Sequence, residues 1–166
     1  MNKSNKRSDQ DSKYFTLAGL KFSTCCSGTK YENRDDLSLI VLDPGSHIFA
    51  CFTASTMPSA PVIWSKENNK KAQNLKEKIV LLINAGNANA FTGEDGLLAC
   101  EEKATSLSAI FKCERKNIFF ASTGVIGEKL PHKKIIQHFS YLQKNLSSYN
   151  FKNASYSILT TDLKPK

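Results

Sequence analysis

The sequence predicts an α/β class protein, a layered α/β sandwich on a mixed sheet. Short runs rich in Val, Ile, Leu and Phe alternate with segments whose apolar residues recur every three or four positions. Most of the β-rich runs end at Gly, Pro, Asn or Asp, residues that leave the pleat readily. The 166 residues suffice for one domain, and 40% hydrophobic against 23% charged residues argues against wholesale disorder.

The elements follow in chain order. Residues 1–13 form a polar lead-in with no apolar stretch, expected to be loosely attached, and the domain is expected over 14–166. Strands are expected at 37–42, 48–54, 79–84, 118–122 and 155–161. Asp43-Pro44-Gly45 separates the first two. Pro presets φ and Gly accepts a positive φ, so this pair is expected to be an antiparallel hairpin. Residues 66–78 are polar and lysine-rich, a solvated segment with some helix. After the turn at 92–95, Leu97, Cys100, Ala104, Leu107 and Phe111 fall on one face of a helix. Pro131 opens a second helix, with Ile135, Phe139, Leu142 and Leu146 as its stripe.

Composition excludes several function classes. The longest apolar run spans only residues 79–83, against the roughly 20 residues of a membrane helix, so no membrane partner is expected. The start resembles no secretory signal, and Asp9 and Asp11 are unlike a transit peptide, so the expected compartment is the cytoplasm. Lys plus Arg is 23 and Asp plus Glu 15, a formal charge of +8. That balance raises a small nucleic-acid-binding module as an alternative, but the lysines are dispersed and the expectation is no nucleic acid. The five cysteines (Cys25, Cys26, Cys51, Cys100, Cys113) are odd in number and form no Cys-x-x-Cys pair. With His47, His132 and His138 far from them in sequence, no metal site is expected, and the thiols read as reduced and mostly buried.

Three segments carry candidate chemistry. Asn84-Ala85-Gly86-Asn87-Ala88-Asn89-Ala90 lies between a strand and a helix. Its small residues permit close backbone approach, yet its asparagines are expected chiefly to satisfy their own loop. Ser122-Thr123-Gly124-Val125-Ile126-Gly127 ends a strand with a hydroxyl and an unencumbered N–H, a donor pair suited to a developing oxyanion. As a lone tripeptide, Ser-Thr-Gly is more often a turn. In Leu159-Thr160-Thr161-Asp162 the threonines suit ligand binding, and Asp162 suits a cap. Glu101 and Glu102 read as solvated charges.

Taken together and in order, these blocks resemble one family, the bifunctional ornithine acetyltransferase/N-acetylglutamate synthases of arginine biosynthesis. The resemblance runs through Ala18-Gly19-Leu20-Lys21, Arg34-Asp35-Asp36-Leu37-Ser38-Leu39-Ile40, Phe52-Thr53 and Ala60-Pro61-Val62-Ile63-Trp64. It continues through 84–93, 122–127 with Leu130-Pro131, and Leu159-Thr160-Thr161-Asp162. It implies an acyltransferase made as a precursor that cuts itself before a threonine, giving α and β chains in an α2β2 assembly. The new N-terminal threonine then carries acetyl from N-acetylornithine to glutamate. It implies no cofactor, although some members also use acetyl-CoA as donor. Thr123 and Gly124 match the family's oxyanion-hole pair, and Thr160 matches a substrate-binding position. The family's glycine- and lysine-containing substrate segment and its cleavage threonine have no match here. The expectation is therefore an incomplete α-chain portion, completed by a β chain and inactive alone. The competing expectation is a truncated, non-catalytic remnant of the same enzyme.

Overall fold

The computed structural model describes residues 16–71, 74–162 and 164–165, so the lead-in expected at 1–13 lies outside the described residues. Four strands make one sheet in the order β1 (Leu20–Cys25), β2 (Leu37–Leu42), β3 (Ile79–Asn87) and β4 (Ile118–Val125). The helices are α1 (Ala60–Lys70), α2 (Gly93–Phe111), α3 (His132–Gln137), α4 (Phe139–Lys144) and α5 (Phe151–Ser157). The first three strands pair antiparallel and β3 pairs parallel with β4, giving the mixed sheet expected from sequence.

Register decides which face is the core. Leu37, Leu39 and Val41 oppose Asn84, Leu82 and Val80, which in turn oppose Ser122, Phe120 and Ile118. On this face α2 lays Ala99, Cys100, Ala104 and Leu107, joined by Ile135, Phe139 and Leu142 from α3 and α4. Burying each such large aliphatic or aromatic side chain contributes roughly 1.5–3 kcal/mol. α2 has Glu94 and Asp95 in its first turn, where the helix dipole favours acids. It ends at Lys112, whose φ of 52° is left-handed. On the opposite face, α5 packs on β1 through an edge-to-face contact of Phe151 with Phe22, ring centroids 5.5 Å apart.

β4 is an edge strand, and α1 covers part of that edge with side chains. Trp64 Nε1 and Asn68 Nδ2 each donate to the Ile118 carbonyl at 2.9 Å. Ser65 Oγ donates to the Phe120 carbonyl at 2.8 Å and accepts from the Phe120 N–H at 2.9 Å. The outward groups of alternate residues are thereby paired although no fifth strand is present among the described residues.

The structure corrects four expectations. Residues 48–54 form no strand, and Phe49 is 90% exposed. The Asp43-Pro44-Gly45 turn does form, with Ser46 N donating to Asp43 O at 3.2 Å, but no hairpin follows. Both edges of β2 are already held along its length by β1 and β3. Residues 155–161 are not a strand either: they finish α5 and continue irregularly, and the β1 edge beside them is bridged at Phe22 by Ser147. The second helix is two short helices that meet at His138. Finally, β1 and α1 have no counterpart among the expected elements. β1 is hidden by Lys21, Ser23 and Thr24. α1 starts six residues before the polar segment that resembled a solvated helix.

Glu102 also departs from a merely solvated charge, accepting from or sharing a proton with His132 Nε2 at 2.9 Å and so tying α2 to α3. Three of the five thiols (Cys25, Cys100, Cys113) are buried as expected, and all five are free. Lys103 on α2 is 1% exposed, with its ammonium 4.4 Å from the centroid of the Phe120 ring. Burial pushes its pKa down, against a smaller upward pull from Cys100. A lysine depressed in the fold binds fewer protons than in the unfolded chain. Stability therefore rises with pH between the lowered folded value and the ordinary lysine value of about 10.4. Buried Cys25 and Cys113, raised to about 12 and about 11, act in the opposite sense above their ordinary value. Comparison of wild type with Lys103→Met isolates the lysine. In urea unfolding at pH 7 to 9, the variant is expected to be about 1–4 kcal/mol more stable at pH 7. Its advantage should shrink as pH rises.

Candidate active site

The C-terminal ends of β3 and β4 finish side by side, with Ala85, Gly86 and Asn87 opposite Thr123, Gly124 and Val125. Two glycines make this junction possible. Gly124 has φ +135°, and a Cβ there would lie 2.2 Å from the Gly86 carbonyl carbon. Gly86 has φ +100°, and a Cβ there would lie 2.5 Å from Cβ of Lys30. At Gly124 the two strands approach too closely for a side chain, and at Gly86 the space is taken by Lys30 of the loop before β2.

The loop that follows β3 is braced by its own amides. Asn84 Nδ2 donates to Asn87 O at 2.8 Å, and Asn84 Oδ1 accepts from Ser122 Oγ at 2.6 Å across the parallel pair. Asn87 Nδ2 donates to Glu128 O at 3.0 Å, while its Oδ1 takes the Asn89 N–H at 2.8 Å. Asn89, buried with φ 46°, donates to Gly96 O at 3.1 Å and accepts from Thr92 Oγ1 at 3.0 Å. Each asparagine is thus occupied inside the protein, locking the end of the sheet to the first turn of α2.

Thr123 and Gly124 sit beyond this brace. Ser122 and Asn84 share the core face, so Thr123 projects to the opposite face, where it is half-buried. Gly124 is exposed. Ile118 and Phe120 point their main-chain groups away from β3, and by the strand's alternation Ser122 and Gly124 do the same. The hydrogen bonds from α1 stop at Phe120. The geometry therefore offers an outward Gly124 N–H next to the Thr123 hydroxyl, two donors at the rim of the sheet.

Thr160 is brought to the same end by Arg34. The Arg34 guanidinium lies 3.9 Å from the centroid of the Tyr31 ring, and its Nη2 donates to the Leu159 carbonyl. Arg34 lies three residues before the start of β2, where Leu37 opposes Asn84, which opposes Ser122. Next to it, Asp36 is fully buried: its carboxylate accepts from Ser27 N at 2.6 Å and Thr29 Oγ1 at 3.2 Å. Its carbonyl takes the Ala85 N–H at 2.8 Å. Arg34 thus holds the segment that bears Thr160, and Asp36 ties the lead into β2 to β3, whose Ala85 lies opposite Thr123. Composition assigned neither a role; the available signal was a run of three charges leading directly into an apolar strand.

The surrounding electrostatics are those of an exposed rim. Lys30 pairs with Glu128 at 3.5 Å and Lys129 with Asp95 at 2.9 Å. Burial raises the pKa of Cys100, as it does for Cys25 and Cys113, so these thiols stay protonated near neutrality and are poor nucleophiles. Among the described residues no three His, Cys, Asp or Glu side chains are grouped as a metal ion would need, and no helix is long and apolar enough to cross a membrane.

Comparison with known proteins bears on this arrangement. The ArgJ family model matches residues 21–166. The arginine biosynthesis bifunctional protein ArgJ of Gluconobacter oxydans is 39% identical over 151 residues, which is 91% of this chain and 35% of that protein. The chain thus spans about a third of the length of such relatives. In structure it is similar to the arginine biosynthesis bifunctional protein ArgJ of Bacillus halodurans, with a TM-score of 0.78 and 27% identity over 89% of this chain and 75% of that one. It is also similar to the ornithine acetyltransferase of Mycobacterium tuberculosis complexed with ornithine, with a TM-score of 0.75 and 25% identity over 89% of this chain and 78% of that one.

The glycine junction yields a stability prediction. Gly124→Ala combines a backbone collision with a positive φ, together costing about 2–4 kcal/mol in chemical denaturation. Gly127→Ala, where φ is +82° and nothing lies within 4 Å of the added carbon, should cost about 1 kcal/mol.

Proposed function

The chain belongs to the ArgJ family, and from that premise we propose that residues 14–166 are the N-terminal, α-chain portion of a glutamate N-acetyltransferase of arginine biosynthesis. In this reading a threonine hydroxyl from a companion β chain attacks the acetyl carbonyl of N-acetylornithine. The C–N bond breaks, and ornithine leaves with the proton lifted from the hydroxyl. The acetyl-threonine ester is then attacked by the amine of glutamate, which releases N-acetylglutamate and restores the hydroxyl. Acetyl-CoA is a second possible donor, and no cofactor is involved.

The role of this chain is electrostatic and positional. In both half-reactions a tetrahedral oxyanion develops, and the Thr123 hydroxyl and Gly124 N–H are its donors. The observation that carries this reading is the rim of β4: closed by α1 as far as Phe120, then open at Ser122 and Gly124 with a glycine where no side chain fits. Donors already fixed by sheet pairing need not reorganise as charge develops, which is why such sites are worth far more than the same groups in water. Thr160, held at the same end through the Arg34–Leu159 contact, contacts the amino-acid portion of the substrate. The resemblance adds the α2β2 assembly, to which the β chain brings the nucleophile and the remaining substrate contacts.

The test is kinetic, on the assembled enzyme containing this chain. Thr123→Ala is expected to lower kcat about a hundred- to a thousand-fold in both acetylation of the enzyme and transfer to glutamate. Assembly and melting temperature should remain near wild type. Thr160→Ala should act chiefly on KM. Unchanged kcat in Thr123→Ala would remove the oxyanion assignment.

A further inference from the structure

At the other edge of the sheet, a cleft of about 520 Å³ opens where β1 runs past its single bridge to Ser147. It is lined by Ser23, Thr24, Cys26 and Asp35 on the strand side and by His138, Tyr141, Asn145, Asn150 and Asn153 on the helix side. Thr123 and Gly124 lie three strands away, roughly 14 Å at 4.8 Å per strand. The volume falls within the range of small-ligand pockets.

The hydrogen bonds around the cleft show what it offers a ligand. The amide nitrogen of Asn145 donates to Tyr141 O at 2.8 Å. That of Asn150 donates to the carbonyls of Phe22 and Asn145, each at 3.4 Å. That of Asn153 donates to Asn150 Oδ1 at 3.4 Å. Each of these amides thus has donor capacity engaged within the protein, while the side-chain oxygens of Asn145 and Asn153 remain as acceptors. Asp35 is the one carboxylate in the lining and receives Thr24 Oγ1 at 2.5 Å on Oδ2 alone. Among the described residues no lysine or arginine lines the cleft. A separate observation also points to a missing polar partner: Ser23, 1% exposed, has a buried Oγ with no hydrogen-bond partner.

We propose that this cleft binds a small organic cation, an aliphatic amine or guanidine, through the Asp35 carboxylate and the amide oxygens of Asn145 and Asn153. A ligand rich in N–H donors can be received by the Asp35 carboxylate and these amide oxygens, and among the described residues no lysine or arginine lines the cleft to hold an anion. The site stands independently of the acyl-transfer reading.

The experiment titrates the 166-residue chain with agmatine and separately with succinate, following amide chemical shifts by NMR. Agmatine should bind with shifts centred on Thr24, Asp35 and Asn145, and succinate should not. Asp35→Asn should weaken agmatine binding about tenfold or more, since a charge-assisted hydrogen bond is lost. Asn153 is exposed and its amide donates to the Asn150 side chain at 3.4 Å, so its variants test the site at little cost to the fold. Asn153→Asp should tighten binding severalfold, and Asn153→Lys should weaken it about tenfold. No agmatine binding up to about 10 mM, equal response to succinate, shifts centred on Gly124, or insensitivity to both Asn153 variants would overturn the assignment.

Discussion

β4 runs parallel to β3, and this pairing dictates much of what surrounds it. A parallel partner cannot be reached by a tight turn, so the chain must cross over a face of the sheet. α2 is that crossover, and its buried stripe becomes the roof of the core. The same pairing brings the C-terminal ends of two strands to one rim, so Asn84–Asn87 and Ser122–Val125 meet there. It also leaves β4 on the edge. The edge is paired by Trp64, Ser65 and Asn68 of α1, and these hydrogen bonds stop at Phe120. The rim at Thr123 and Gly124 is the part of the edge strand that the polar side chains of α1 do not pair.

The rim is held rigidly for its size. The Asn84, Asn87 and Asn89 amides join β3, β4 and the start of α2 in one hydrogen-bonded unit. Gly124 lets the two backbones touch, and Gly86 makes room for the Lys30 side chain. Arg34 and Asp36 connect that unit to the loop before β2 and to the chain around Leu159. The Arg34–Leu159 contact joins residues 125 positions apart, so the three residues assigned to acyl transfer are set by the tertiary fold as a whole.

The chain also carries polar groups that packing alone does not explain. Lys103 lies beneath the sheet against Phe120 at a desolvation cost, and its length and flexible stem fill a position that an apolar side chain could occupy. The cleft beside β1 gathers acceptors around Asp35 at the edge that is bridged only at Phe22. Both edges of the sheet are thus incomplete: at one the α1 hydrogen bonds stop at Phe120, and at the other β1 is bridged only at Phe22 among the described residues.

Local pattern alone determined the α/β class, the strands over 37–42, 79–84 and 118–122, and the face of α2 that is buried. In these segments hydrophobic period and turn residues agree with the final packing. The ordered Asn84–Gly93, Ser122–Gly127 and Leu159–Asp162 blocks also identified the family, and the asparagine loop was legible as a brace because its residues satisfy one another locally. Pattern failed wherever a partner decided the outcome. Residues 48–54 are as strand-like as β2, but β2, the neighbour they would pair with, is already held on both sides by β1 and β3. Residues 155–161 alternate, yet the Phe22 contact and the Ser147 bridge favour a helix. β1 has polar residues on both faces and becomes a strand only because β2 needs a neighbour. Leu97, on the expected apolar stripe, is 39% exposed, while Lys103 takes a buried place on the same helix. The sequence by itself determined which segments could pair and which residues could carry the chemistry. The tertiary structure alone decided which of them found a free edge, because a strand is stable only where another offers its hydrogen bonds.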